Sequence, residues 1–375
     1  MTLSVVSSNL TPTLIKNRAG LNLLANEWNT LLRQSAADSI FLTWEWVTSW
    51  LDTVSPAETL AVVAVRDSGG RLVAVAPFYI SILHFFGIVK YRCLRIIGDC
   101  YTGGEYPDII VLPGIEDTAL AAIATTIASS ACQWDCAWLP NVAGWTGAME
   151  RLLSALGHGF VRKRPCSFSA LTLPSTWQEF ACQLSRNRRS ILQRQKKRLV
   201  QAGIMTTQLC RSKDHLLQAL DTLFALHQKR WRESGQEGSF VRRPRMVDFY
   251  KDFAPKALAN NWLVLYSLVV DSVPIAAQYG YRYKSTFLQL QEGYDPAGPK
   301  GSGNTLRAEI FRWCIEQGIR EYDFLGEHTP HKSYWCAVER WGWQIFLVRN
   351  KVKNLPLKRL KIWPTGRFLR QTLSV

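Results

Sequence analysis

The sequence predicts a mixed α/β (α+β) protein of two similar units with mixed β-sheets, joined by a helical segment. Three observations predict it. A hairpin pattern occurs twice, at residues 59–80 and 261–295. Each hairpin is followed by an extended run, a loop, a helical run and another extended run. Between the two sets lies a stretch of helical periodicity.

In the first set, "TLAVVAVRDSGGRLVAVAPFYI" places Val/Ala runs on either side of Asp67-Ser68-Gly69-Gly70, a strong turn signal. "YPDIIVLPGIEDTALAAIATTIASS" and "CQWDCAWLPN" then read as strand, loop, helix and strand. In the second set, "NWLVLYSLVVDSVPIAAQYGYRYKSTFLQLQEGYD" reads as three strands with turns at Asp271-Ser272 and Arg282–Lys284. "LQEGYDPAGPKGSGNTLRAEIFRWCIEQG" and "IREYDFLGE" repeat the strand, loop, helix, strand order. Between the sets, Thr176 and Glu179 have capping-box spacing, and "SRNRRSILQRQKKRLVQAG" is a helix stopped by Gly203. "KDHLLQALDTLFALHQKRWRESG" supplies another long amphipathic helix. We divide the chain at 1–172, 173–350 and a basic tail, 351–375, which carries seven Lys and Arg and no acid.

Leu72 to Val89 contains no Asp, Glu, Lys or Arg over 18 residues, the lower edge of a membrane span. Pro77, Ser81, His84 and Gly87 interrupt it, so it reads as two buried strands with a bend. Its tip, "HFFGIV", and the basic, apolar tail are the segments that suit weak contact with an anionic membrane surface.

With 47% hydrophobic and 20% charged residues, the composition is globular and not that of a disordered chain. The net charge of +16 is uneven. Residues 1–180 hold 12 Lys and Arg against 14 Asp and Glu; residues 181–375 hold 33 against 15. The second half therefore attracts anions. Nine cysteines with no C-x-x-C pair point to neither a disulfide framework nor a zinc site, and no metal is expected. A reducing cytoplasm fits them, at most peripheral to the inner membrane face. The first twenty residues make a poor signal peptide.

Gly301 and Gly303 stand between an extended run ending near Glu292 and the apolar-periodic Leu306, Ile310, Phe311 and Cys314. Glycines there let main-chain amides approach a phosphate, and a helix N-terminus adds partial positive charge. The loop is neither a Walker motif nor a complete dinucleotide fingerprint. It reads locally either as a flexible connector or as a phosphate cradle.

Seven of the thirteen residues from Arg186 to Arg198 are basic and none is acidic. They form either a solvated helix face or a helix that grips an anion. No nucleic-acid motif accompanies them, so direct RNA or DNA binding is not expected. Asp323 ends a strand, and His331, Lys332, Tyr334 and Trp335 crowd the next dozen residues, where open α/β sheets gather chemistry. Trp231, between Arg230 and Arg232, reads as core or as the lining of an acceptor cleft.

The order of these stretches resembles the GNAT acyltransferases, and more specifically the CelD/BcsL-like acetyltransferases, double-GNAT proteins related to the FemAB aminoacyl transferases. The matching stretches are "FLTWEWVTSWLDT", "YPDIIVLPG", "LSRNRRSILQRQKKRLVQAG", "LHQKRWRESGQEGSF", "GSGNTLRAEIFRWCIEQGIREYDFLG" and "PHKSYW". Where the GNAT loop has Arg or Gln three residues before its first glycine, this chain has Gly298. Where the family has Tyr before the lysine, it has His331.

The resemblance implies an N- or O-acyltransferase active in polysaccharide biosynthesis. It implies acetyl-CoA or another acyl-CoA as donor, and a sugar or glycan precursor as acceptor. Donor contacts fall on Glu292, Lys300, Gly301, Ser302, Gly303 and Asn304. Catalytic roles fall on Asp323, His331, Lys332 and Tyr334, and acceptor or anion contacts on Arg188, Arg189, Arg230, Trp231 and Trp335. The first unit has "PGIEDTAL", with two acids where a pyrophosphate would sit, so it is expected to be structural or to serve the acceptor side. The alternatives are FemAB-like transfer from aminoacyl-tRNA to a cell-wall precursor, and a non-catalytic scaffold in glycan synthesis.

Overall fold

The computed structural model describes residues 9–55, 59–157, 159–359, 363 and 369–372. His158, Pro364 and much of the basic tail lie outside the described residues. The chain divides into two compact units, Ser167–Arg340 and a discontinuous one made of Met1–Cys166 and Trp341–Val375.

The discontinuous unit holds two sets of strands. Thr11–Ile15, Val62–Arg66, Leu72–Ala76 and Ile110–Val111 form a four-stranded antiparallel sheet. The turn between its central strands is the expected one: the Asp67 carboxylate accepts from the amides of Gly69 and Arg71. In the second set Phe78–Phe85 pairs antiparallel with Val89–Ile96, which pairs in parallel with Cys136–Ala143. The helix Glu116–Ala128 lies on that parallel connection. Gly342–Val348 adds to the set against Cys136–Ala143, and Leu369–Thr372 pairs antiparallel with Phe78–Phe85, which is why the chain after 340 belongs to this unit.

The order strand, loop, helix, strand predicted for 106–140 is present, as Ile110–Val111, Glu116–Ala128 and Cys136–Ala143, but its pairing is not local. Ile110–Val111 is only two residues long and pairs with Leu72–Ala76 in the other sheet. The strand parallel to the one after the helix is Val89–Ile96. Short length and the Pro107 and Pro113 flanks limited the pairing that run could make. The charge-free stretch 72–89 is indeed two strands, Leu72–Ala76 and Phe78–Phe85, broken at Pro77. Three tryptophans of this unit, Trp28, Trp46 and Trp50, are wholly buried.

Among the described residues of Ser167–Arg340, six strand segments follow one another in space. Met205–Leu209, Leu263–Val270, Val273–Tyr283 and Thr286–Tyr294 are antiparallel neighbours. Glu321–Asp323 then pairs in parallel with Thr286–Leu288, and on its other side with Ala170–Thr172. Asp271 and Ser272 both adopt left-handed backbone, as a tight hairpin turn demands. The parallel contact lasts only three residues, so Gln289–Tyr294 runs on past it. Between these two strands the chain crosses through the helix Ser302–Glu316, which buries Leu306, Ile310, Phe311 and Cys314. Each fully buried Leu, Ile or Phe stabilises by about 1.5–3 kcal/mol, so this face anchors the loop that precedes it.

The basic run is the helix Arg186–Ala202, capped by Ser185, and the capping box of Thr176 and Glu179 opens the helix before it. Leu216–Glu233 and Pro244–Ala259 follow. Among the described residues no helix is long and apolar enough to cross a membrane.

Candidate active site

The glycine loop ends at Gly301, which takes φ +98° and leads into Ser302–Glu316. Two facts require glycine there. The backbone is left-handed, and a Cβ would lie 2.4 Å from the Gln195 side chain. A Cβ on Gly303 would meet the Tyr294 ring at 3.3 Å, so this turn also stands close to its neighbour. Gly301, at the N-cap position, has no side chain to cap the helix. The first-turn amides of Ser302, Gly303 and Asn304 therefore lack intrahelical acceptors, and the helix dipole favours an anion beside them.

These amides open on a cavity of about 450 Å³, lined by Arg230, Glu292, Tyr294, Lys300–Asn304, Arg307 and His331 among others. Its polar centre is Glu292. One carboxylate oxygen accepts from Arg230 at 2.8 Å; the other accepts from Arg307 and, at 3.0 Å, from the Gln289 amide. A buried chain supports this arrangement: Gln278 donates to the Tyr322 hydroxyl at 2.6 Å, and Tyr322 donates to Gln289 at 2.8 Å. Burial opposes ionisation of Glu292, but the charges of Arg307 and Arg230 outweigh it and hold the carboxyl at about 2. Glu292 is thus an anion at any ordinary pH and a weak proton acceptor.

His331 lies against the same guanidinium, its Nε2 3.1 Å from Arg307 Nη1. Arginine can only donate, so Nε2 accepts, and the neutral ring carries its proton on Nδ1. Burial and the Arg307 charge push the imidazole below its ordinary value. The ring is neutral at pH 7, the state required of a base.

The structure therefore brings Arg230, Glu292, Lys300, Gly301, Ser302, Gly303, Asn304 and His331 around one cavity. The other residues singled out in the sequence sit elsewhere. Asp323 is 3% exposed, and its carboxylate accepts from the Leu325 amide at 2.7 Å. Lys332 Nζ donates to the Leu325 carbonyl. Trp335 is wholly buried in the unit's core. Tyr334 receives the Arg188 guanidinium on its ring face. Arg188 is itself 5% exposed, and its Nε and Nη2 have no hydrogen-bond partner among the described residues. Arg189 reaches back to the carbonyls of Ala181 and Leu184, at 3.2 and 2.6 Å, and so finishes the preceding helix. Trp231 donates its indole N–H to His227 at 3.0 Å.

Two residues of this neighbourhood escaped sequence reading. Arg307 was visible only as one arginine in a helix, though its place one turn after Gly303 and one before Phe311 sets it on the buried face. His227 gave no signal beyond its helix. It is 2% exposed, and burial pushes it down to about 4. Among the described residues no group of His, Cys, Asp or Glu is arranged to hold a metal.

Residues 186–333 match the family model described as acetyltransferase (GNAT) domain. The second unit is accordingly a GNAT-type acyltransferase domain. Several solved structures share the wider architecture. FemX superposes with a TM-score of 0.61 at 11% identity, over 90% of this chain and 98% of its own. A conserved protein of unknown function from Bacteroides thetaiotaomicron gives 0.56 at 12%, over 90% and 100%. The C-terminal domain of a putative lysylphosphatidylglycerol synthetase from Agrobacterium fabrum gives 0.52 at 10%, over 90% and 95%. At such identities the likeness defines the fold, and the fold class is the one the sequence predicts: mixed α/β with mixed sheets and helices. No curated protein matches the chain in sequence.

Proposed function

We propose that the protein transfers an acetyl or other acyl group from an acyl-CoA to an amine or hydroxyl of a sugar or polysaccharide-related acceptor, in the manner of the CelD/BcsL-like enzymes. The observation that carries this reading is the uncapped, glycine-led helix start opening on a cavity lined by Arg230, Lys300, Arg307 and a neutral His331. The residues fit a diphosphate: the first-turn amides after Gly301 carry the right partial charge, and Lys300 stands beside them in the cavity lining.

The amides of Ser302, Gly303 and Asn304, with Lys300, would hold the donor's diphosphate. A thioester supplies an activated acyl carbon and a thiolate leaving group. His331 accepts the acceptor's proton at Nε2 once the acceptor displaces the Arg307 hydrogen bond, and the freed guanidinium then faces the negative charge developing on the carbonyl oxygen. Glu292 keeps Arg307 and Arg230 in place and takes no proton itself. Asp323, Lys332 and Tyr334 shape the wall that carries His331. Arg188 and Trp231 would serve the acceptor side, with the first unit contributing structure or acceptor contacts.

A second reading, FemAB-like transfer from aminoacyl-tRNA, is favoured by one feature: Arg186, Arg194, Lys197 and Arg198 all remain exposed on the basic helix. The two separate cleanly. Calorimetry with acetyl-CoA, followed by thiol release across amine and sugar acceptors, should show saturable donor binding and turnover. Salt-steep binding of charged tRNA without coenzyme A binding would replace the first reading with the second. Donor binding with no turnover on any acceptor would leave a scaffold in glycan synthesis.

A further inference from the structure

The discontinuous unit contains a cavity of its own, about 630 Å³, lined by Lys16, Leu60, Ile80, Ile82, Lys90 and Arg92 among others. Strand register explains this composition. Ile82 lies opposite Arg92, and His84 opposite Lys90, on the hairpin Phe78–Phe85/Val89–Ile96. Alternation sends the odd-numbered Leu83, Phe85, Tyr91 and Cys93 into a buried cluster and leaves the even-numbered Ile82, His84, Lys90 and Arg92 along the cavity.

At the tip, Phe86 and Gly87 adopt left-handed backbone, with φ of 50° and 75°. Phe86, Ile88 and Val89 are 56%, 83% and 44% exposed. Single exposed apolar side chains need no explanation, but neighbours clustered on one projecting turn do.

The charge beside this tip is positive, although residues 1–180 are slightly acidic overall. Among the described residues no carboxylate lines the cavity. Arg92 donates to Gln133 and lies 3.8 Å from Asp135, but Asp135 is also claimed by Lys351 and Lys353, at 3.4 and 2.7 Å. One acid therefore faces three cations, with Lys16 and Lys90 in addition.

We propose that this hairpin face docks on an anionic lipid bilayer. Phe86 and Ile88 enter the headgroup layer, Lys16, Lys90 and Arg92 meet lipid phosphates, and the cavity behind them takes one headgroup. An apolar projection backed by a basic belt is the arrangement a lipid interface stabilises, and its depth suits reversible surface attachment. The proposal stands apart from acyl transfer, because vesicle binding requires no turnover.

The full chain is sedimented with phosphatidylcholine vesicles and with vesicles that also contain phosphatidylglycerol. Binding is expected only to the second, weakening with salt. Phe86→Ser with Ile88→Ser, and separately Lys90→Glu, should each lower it by about fivefold or more while thermal melting stays unchanged. Lys197→Glu, on the other unit's exposed basic helix, should leave it intact. Failure to sediment with phosphatidylglycerol, binding indifferent to the hairpin variants, or equal loss with Lys197→Glu would each overturn the proposal. So would saturable binding of inorganic phosphate, abolished by Lys90→Glu, in a protein that ignores vesicles.

Discussion

Arg307 is buried inside the helix that follows the glycine loop, and its guanidinium is ion-paired with Glu292 on the neighbouring strand. The pair ties the helix start to the strand end on which the cavity depends. Glu292→Gln leaves Arg307 uncompensated in the interior and should cost about 3–5 kcal/mol in urea unfolding. Adding Arg307→Met should recover much of that loss. A double variant no more stable than Glu292→Gln would show that the pair is not what holds this region.

Gly301→Ala forces a Cβ into left-handed backbone and against Gln195. A cost of about 1–2 kcal/mol in stability is expected. Gly303→Glu sets a carboxylate at the positive end of the helix dipole and bulk against Tyr294. Calorimetry should show acetyl-CoA affinity reduced by about tenfold or more, and unchanged affinity would contradict the assignment of the cradle.

His331→Gln should lower kcat by about 10²–10⁴-fold with modest change in donor affinity. The imidazole is pushed below its ordinary value of 6.5, so the acidic limb of the rate profile should have its midpoint below pH 6.5. That limb should vanish in His331→Gln. A midpoint above 6.5, or an unaltered limb in the variant, would assign the proton to another group.

His227, buried behind the cavity, provides a stability test. Its folded value of about 4 lies below the unfolded 6.5, so the unfolded chain binds the proton first as pH falls. Stability is complete above pH 6.5 and declines toward pH 4, by about 2 kcal/mol between 6.5 and 5. His331 acts in the same direction. His227→Gln should flatten the slope of unfolding free energy over this interval, measured by urea titration.

How far these features were legible depended on the range of the interactions involved. Asp271-Ser272, Thr176 with Glu179, and Gly301 with Gly303 announce themselves because turns, caps and left-handed positions are local chemistry. The doubled order of elements was legible for the same reason. Pairing was not: nothing near Ile110 says that it joins Leu72–Ala76 while Val89–Ile96 takes the parallel place. The site divides the same way. His331 and the glycine loop were visible from their surroundings in the chain. Arg307 was not, because its meaning comes from Glu292, fifteen residues away on another element. Arg189 looked like part of an anion-gripping face, yet its guanidinium finishes a helix. A charge run does not reveal which of its members turn inward.

The position of Gly342–Val348 against Cys136–Ala143 has a consequence for biosynthesis. One unit is interrupted in sequence by the whole of the other. A ribosome releases Ser167–Arg340 before the strand that the earlier segment awaits, so the acyltransferase domain can mature while the first 166 residues still lack a neighbour. Nascent chains that end at residue 340 and are held on the ribosome by a linker spanning the exit tunnel should resist protease in the inner domain and be cut in the outer one. Protection of the outer domain should appear only once Gly342–Val348 has also cleared the exit tunnel.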